Sequence, residues 1–344
     1  MSSTNSSDKL GLVIVGSGGM ARVHANHWRR IGEVSLVAVA SRDEESARNL
    51  AGADEAVQYP SLTDALADTS VKIDIVDICT PTPTHKQLAL EALAAGRHLM
   101  LEKPMARTVA DCVEIAAAAR ASGKTAMVGH VVRYFPEFEL AKKKVDAGAV
   151  GVPAAVRTAR MAGHPKGGWN NWYSDPSLSG GVVMDMIIHD FDWLLWTFGP
   201  IDRVFAKGLY KNPDHVGKLD YALCTLHHAN GVLSHVTGSW AHSGGFRTTY
   251  EICGDAGMIC HDSADIAPLT VSLRQTEPGK AGVAVPESPM APNDDPYYRE
   301  LRHFTDCVIS GKEPDITLED ARAAVAIAEA ALISIETGEV VEIR

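Results

Sequence analysis

Lysine, aspartate and histidine side chains can all move or hold protons, and this sequence sets one of each where a rigid element would carry it. Lys103 stands in Leu99-Met100-Leu101-Glu102-Lys103-Pro104. The three apolar residues suit the end of a strand buried on both faces. Pro104 stops that strand, because proline has no N–H for the ladder and restricts the residue before it. A cation held stiffly at the carboxyl edge of an α/β sheet stands where such sheets bind ligands; a solvated lysine at an ordinary strand end is the plain alternative. Asp185 and His189 lie in the apolar stretch 181–198, which predicts one long buried helix. With Asp192 they fall at i, i+4 and i+7, a single narrow stripe. Buried charges are costly unless paired, so the stripe must satisfy itself or face a polar cleft. A histidine near neutrality can act as general base, and a lysine cation can bind a reacting oxygen and stabilise negative charge developing there. A core histidine satisfied by a neighbouring carboxylate is the competing explanation.

Residues 10–15 form a short apolar strand that runs into Gly16-Ser17-Gly18-Gly19-Met20-Ala21, with a helical pattern continuing to about residue 31. This is G-x-G-x-x-A between a strand and a helix. Gly16 permits the tight turn, Gly18 lets the backbone approach a pyrophosphate, and Ala21 lets helix and strand pack closely. Phosphates would meet the N–H groups at the helix start, with Ser17, Gly19 and Met20 in the same turn. The second strand, 35–40, ends at Ser41-Arg42-Asp43. An NAD-selective site usually puts an acid at this strand end for the ribose 2′-OH, whereas a small donor followed by a guanidinium suits a 2′-phosphate. Asp43 is one or two places late for the first role, although a loop could bring it back. The expected cofactor is NADP or NAD, with NADP favoured. A strand at 72–79 leads into Thr80-Pro81-Thr82-Pro83-Thr84-His85, whose hydroxyls and stiffened turn would line the nicotinamide ribose. Thr80, Pro81, His85, Glu102 and Lys103 complete the expected cofactor contacts.

The elements that must position these groups follow an alternating order. A helix from residue 85 ends near 96; Thr108 and Asp111 form a capping pair that opens a helix to about 122. A sixth strand, 125–128, leads through Gly129-His130-Val131-Val132-Arg133-Tyr134 to a helix near Pro136. The pattern predicts a doubly wound parallel sheet over residues 10–150, behind a loose tail at 1–9. From 151 to 344 the expectation is an α+β domain: a mostly antiparallel open sheet with covering helices. Its strands fall at 154–161, 203–209, 221–228, 232–240, 248–253 and 269–273, and Asn230-Gly231 is a strong hairpin signal. Two C-terminal helices, one ending near 309 and one over 318–335, could pack back on the first domain. The loop Gly167-Gly168-Trp169-Asn170-Asn171-Trp172-Tyr173 offers aromatic faces and amides of the kind a polyol needs, so Trp172 is either a substrate contact or a packing plug. Arg133 and Tyr134, at the cleft edge on the nucleotide side, are open in the same way.

Composition narrows the partners. Among 344 residues, 43 acidic against 32 basic side chains give a charge of −11, which disfavours nucleic acid and anionic membrane. A mean hydropathy of −0.04 fits a water-soluble protein, and no apolar run reaches a membrane span. The Ser/Asn-rich start has no apolar core of an export signal. Six cysteines without a C-x-x-C pair read as reduced thiols in a cytoplasmic protein. Fourteen histidines show no metal-binding spacing, and His227-His228, adjacent in a strand, would point to opposite faces, so no metal is expected.

The G-S-G-G-M-A turn, the E-K-P at 102–104 and the G-G…D-x-x-x-H block from Gly180 to His189 together resemble the glucose–fructose oxidoreductase/inositol dehydrogenase/MocA (Gfo/Idh/MocA) family over essentially the whole chain. The resemblance implies an NAD(P)-dependent dehydrogenase or reductase of sugars, inositols or related polyols. It implies Lys103 and His189 as the proton-transfer pair, with Asp185 binding substrate and orienting His189. It also implies a homotetramer or homodimer built on the open face of the C-terminal sheet, and a final short strand. A reductase working on a keto-sugar or similar carbonyl, and a non-catalytic nucleotide-sensing regulator of the same fold, remain the alternatives.

Overall fold

The computed structural model describes residues 9–165, 169–209, 220–265, 269–273, 283–287 and 295–343. The elements run β1 (Leu10–Val15), α1 (Gly19–Trp28), β2 (Val34–Ala40), α2 (Glu44–Ala51), β3 (Val57–Tyr59), α3 (Leu62–Ala67), β4 (Ile75–Ile78), α4 (His85–Ala94), β5 (His98–Glu102), α5 (Val109–Ser122), β6 (Ala126–Gly129) and α6 (Pro136–Asp146). They continue with β7 (Pro153–Met161), α7 (Pro176–Ser179), α8 (Gly181–Asp185), α9 (Ile188–Phe198), β8 (Ile201–Leu209), β9 (Tyr221–His228), β10 (Leu233–Ser239), β11 (Arg247–Gly254), β12 (Gly257–Asp262), β13 (Leu269–Leu273) and β14 (Val283–Glu287). The chain closes with α10 (Pro296–Ser310), α11 (Leu318–Thr337) and β15 (Val341–Glu342). Among the described residues no helix is long and apolar enough to cross a membrane.

The chain divides into two compact units; the first joins residues up to Val131 with Asp295–Arg322. Its sheet has the order β3-β2-β1-β4-β5-β6, every pair parallel. The inner strands are apolar on both faces, with Leu12, Val13, Ile14, Ile75, Val76, Leu99 and Leu101 fully buried, as helices on both sides of a parallel sheet require. The strand order reverses at β1, whose neighbours are β2 and β4, so the carboxyl ends of β1 and β4 flank the crevice where such sheets take ligands. Local chemistry sets the helix ends. Thr108 Oγ1 accepts from Asp111 N at 3.1 Å to start α5, and Gly123, at φ +65°, ends it. Asp295 caps α10, which sets Phe304 edge-on against Trp28 and Tyr297 flat on His27.

The second unit joins Val132–Asp294 with Ala323–Arg344. Its nine strands run β14-β13-β12-β11-β7-β10-β9-β8-β15, antiparallel throughout except for β7 against β10. Alternation assigns the faces: in β9, Ala222, Cys224, Leu226 and His228 are buried while Leu223 is exposed. His227 and His228 point apart as their adjacency demands. His227 meets Asp202 at 2.8 Å, and His228 is buried between Gly199 O and Ser234 Oγ. The hairpin at Asn230-Gly231 forms, with Gly231 at φ +92°.

The sequence predicts one helix across 181–198, and the structure breaks it. After α8 the N–H of Ile187 reaches back five residues to Val182 O at 3.0 Å, a π-type turn, before α9 restarts. The cause is tertiary: a Cβ on Gly238 of β10 would lie 2.6 Å from Ile187 Cγ2, so the turn presses on bare strand backbone. The stripe of Asp185, His189 and Asp192 is therefore re-phased and not a plain i, i+4, i+7 face. The strands β3, β12 and β14 are further additions to the predicted set.

Candidate functional site

In the first unit the candidate residues gather at the carboxyl edge of the sheet. Gly16 holds φ +103°, and an added Cβ there would stand 2.5 Å from Cys79 O, so only glycine lets β1 leave beside β4. Gly18 is the cap residue of α1, yet among the described residues nothing lies within 4 Å of where its Cβ would be, and no side chain caps the helix. No acid sits in the first turn of α1 either. An open helix start without anions, on a surface kept free of side chains by Gly18 and Gly19, fits a pyrophosphate. Buried Ala21 seats the helix behind it, and half-buried Met20 flanks the turn.

At the end of β2, Ser41 Oγ is 2.8 Å from Ser17 Oγ, which ties the glycine turn to the next strand. Asp43 caps α2, accepting from Ser46 N at 2.9 Å, and that bond holds its carboxyl below the usual range. Arg42 beside it is exposed. Beyond β4, Thr84 Oγ1 donates to Thr80 Oγ1 at 2.7 Å in the proline-stiffened turn that holds Pro81. His85 is buried with its ring nitrogens 2.8 Å from Pro104 O and 2.8 Å from Thr80 O, so it links the turn after β4 to the turn after β5. Glu102 ends β5 almost fully buried, and its Oε2 accepts from the backbone N of Lys103 at 3.0 Å. Lys103 thus leaves the sheet edge from a fixed backbone.

Sequence reasoning missed the group behind this edge. His24 of α1 is fully buried, with Nδ1 2.9 Å from Asp77 Oδ2 and Nε2 3.0 Å from Glu102 Oε1. Trp28 Nε1 donates to the same Asp77 oxygen at 2.7 Å. The available signal was Asp77 itself, an acid inside the apolar run of a fully buried strand, where it must have a partner.

In the second unit, Asp185 ends α8 and His189 stands in the first turn of α9, both half-buried, on either side of the π-type turn. Asp192 pairs with a guanidinium. Its two oxygens take Arg133 Nε at 2.8 Å and Nη2 at 2.6 Å, a bidentate pair buried on both sides. Arg133 therefore has that fork committed to α9, and its guanidinium also lies 5.5 Å from the Trp196 ring. Arg160 and Asp190 form a second buried pair at 2.7 Å. Trp172 is buried, its ring 4.2 Å from that of Tyr173, and Tyr134 is half-buried. Asp220 Oδ2 accepts from Val182 N at 3.2 Å at the start of α8. Burial, with the charge of Asp185, pushes the Asp220 carboxyl up to about 6 against that bond.

Comparison with known proteins agrees with this geometry. The profile described as an oxidoreductase family with an NAD-binding Rossmann fold matches residues 10–130, and that of the GFO/IDH/MocA C-terminal domain matches 138–260. The chain is 30% identical over 342 residues to the uncharacterized oxidoreductase YrbE of Bacillus subtilis, covering 96% of each. It is 28% identical to the myo-inositol 2-dehydrogenase of Thermotoga maritima, covering 94% of this chain and 95% of that one. Among solved structures, GenD2 from gentamicin A biosynthesis, in complex with NAD, superposes with a TM-score of 0.85 at 27% identity, covering 98% and 97% of the two chains.

Proposed function

We propose, from the premise that this chain belongs to the Gfo/Idh/MocA oxidoreductase family, that it moves hydride between a nicotinamide cofactor and a secondary alcohol of a sugar, inositol or related cyclic polyol. The observation that carries the reading is the open start of α1 at Gly18, on the same sheet edge from which Lys103 emerges after buried Glu102. The chemistry a bound nicotinamide supplies is acceptance or donation of hydride at carbon. The alcohol must then lose its hydroxyl proton as the carbon loses hydride. His189 is the group to take that proton, since its unperturbed range lies near neutrality. Lys103 holds the reacting oxygen and stabilises negative charge developing on it. Asp185 binds substrate and orients His189. The names of the similar inositol dehydrogenases support the substrate class.

Ser41 and Arg42 at the end of β2 support NADP over NAD, and the commitment of Asp43 to capping α2 adds to this. Exposed Phe205, Leu209, Leu223 and Leu233 in β8, β9 and β10 support assembly into a homodimer or homotetramer through the second sheet. Six free thiols support a reducing, cytoplasmic setting. The test is a panel of inositols, aldoses and keto-sugars, run in both directions with NAD and NADP, following the absorbance of reduced cofactor. Turnover of a cyclic polyol or sugar is expected. Turnover of carbonyl substrates in the reductive direction alone would reassign it as a reductase. Cofactor binding with no turnover anywhere would make it a sensing regulator and overturn the reading.

A further inference from the structure

The buried group behind β5 does more than fill space. Three acidic or acid-like side chains and one histidine meet where α1, β4 and β5 come together. His24 lies between the carboxylates of Asp77 and Glu102, at 2.9 and 3.0 Å, and the Cys79 thiol stands 3.4 Å from Nδ1. All four are buried, so each polar atom must be satisfied from inside the unit. Asp77 is held by His24 and by Trp28 Nε1. Glu102 is held on one oxygen by His24 and gives its other oxygen to the backbone N–H of Lys103.

We propose that His24 is a positioning residue for Lys103, acting through Glu102: the ring fixes the carboxylate, and the carboxylate fixes the backbone from which the lysine side chain departs. The inference rests on the reading of Lys103 as the group that holds the reacting oxygen. Two features make the link directional. The ring is hydrogen-bonded at Nδ1 to Asp77 and sets Nε2 at ion-pair distance, 3.0 Å, from Glu102 Oε1, so turning it separates a buried charge pair. Glu102 Oε2 accepts from the Lys103 N–H while Oε1 faces the ring, so a displaced carboxylate pulls on the backbone of Lys103. A displacement of about 1 Å at a reacting group costs on the order of 100-fold in rate, and a buried relay of ion pair and hydrogen bonds limits such drift.

Electrostatics agree with the geometry. Burial alone would lower the His24 ring, but the charge and hydrogen bond of Asp77, with Cys79 beside it, outweigh burial and hold it well above its ordinary value. Burial alone would raise Glu102, yet the hydrogen bond and charge of His24, then the charges of Lys103 and His85, hold it low. The charged and titratable groups around the relay are Asp77 and Cys79 from β4, Glu102 with Lys103 from β5, His85 from α4, and His27 and Tyr297 at the rim of α1 and α10. A cation between two carboxylates leaves one net negative charge, less costly to bury than two. His24, Asp77 and Cys79 also stand close enough to share a metal ion. The thiol, pushed up by burial, and the ring nitrogen already engaged with Asp77 are better suited to the hydrogen-bonded relay.

The experiment uses the full-length protein and four variants: His24→Gln, Glu102→Gln, the double variant carrying both, and Lys103→Met. kcat, KM and the cofactor dissociation constant by fluorescence are measured for each, since a positioning role moves kcat and leaves the other two nearly unchanged. His24→Gln should lower kcat by about 10- to 100-fold while cofactor affinity stays within roughly threefold. It leaves two buried carboxylates without their cation, so adding Glu102→Gln, whose amide oxygen can still accept from Lys103, should recover part of that loss. Glu102→Gln alone keeps the shape and should fold even if His24→Gln does not. Loss of cofactor affinity in step with kcat, full turnover in His24→Gln, or a double variant worse than His24→Gln alone would each overturn the proposal. If Lys103→Met itself keeps full turnover, the role of Lys103 fails first. If only Lys103→Met is impaired, the inference about His24 alone fails.

Discussion

Arg133 offers a quantitative test of what a buried ion pair in this protein is for. Its Nε and Nη2 donate to the two oxygens of Asp192 at 2.8 and 2.6 Å, and the two residues are only 6% and 0% exposed. Asp192→Leu removes the acceptor and leaves a guanidinium in the interior. Breaking such a pair on one side costs about 3–5 kcal/mol, because a buried charge loses a bidentate counter-charge. At about 2–4 °C per kcal/mol for a unit of this size, the melting temperature should fall by roughly 6–20 °C. Arg133→Met should fall by a similar amount, since a buried carboxylate is then stranded. The double variant, Arg133→Met with Asp192→Leu, replaces the pair by apolar volume and should recover most of the loss, because that exchange is often near neutral. Thermal melting followed by circular dichroism reads the stability, and steady-state kinetics on the best substrate reads KM. A double variant that melts as low as either single one would refute the argument from stranded charge. An Arg133→Met variant that melts with the parent but raises the substrate KM would show that the guanidinium serves substrate instead.

Four shorter tests follow. Gly18→Val places a branched side chain where the open start of α1 faces outward, and calorimetry should find cofactor binding weakened severely; unchanged affinity would end the nucleotide assignment. Arg42→Ala should weaken NADP alone, by roughly 1.5–3 kcal/mol or on the order of ten- to a hundredfold; equal losses for NAD, or a parent that prefers NAD, would remove the case for NADP. His189→Ala should cut turnover by about 10²–10⁴-fold, and the rise of rate with pH through the neutral range should vanish with it; a persistent limb would assign the base elsewhere. Burial and Asp185 raise Asp220 from an ordinary 3.8 to about 6, so its folded state loses stability as pH rises between those values and carries the full penalty above them. Asp220→Asn should therefore raise the melting temperature above that range and leave it unchanged well below it; an effect of equal size at both ends would deny the titration.

Much of the first unit was legible because its signals are local. Gly16, Gly18 and Ala21 state a turn, an approach and a packing contact within one short stretch, and Thr108 with Asp111 states where a helix begins. The hairpin at Asn230-Gly231 was legible for the same reason. What escaped depends on partners far along the chain. The π-type turn at Ile187 follows from the missing side chain of Gly238, which no window around 181–198 contains. The strand β3 is three residues long and lies at a sheet edge, too short to show alternation. His24 in a helix pattern and Glu102 in a strand pattern each look complete alone, and they meet only because the fold sets His24 of α1 between Asp77 of β4 and Glu102 of β5.

The open start of α1 makes the nucleotide part of the protein's endurance as well as its chemistry. Among the described residues no side chain caps α1, so its first amide groups are left to water or to an anion. A ligand that completes them binds the folded form alone, and at a hundred times its dissociation constant it adds about 2.7 kcal/mol to folding. Cellular turnover of a marginally stable chain follows the fraction that is unfolded at any moment. The lifetime of this protein should accordingly lengthen with cofactor occupancy, independently of any turnover of substrate.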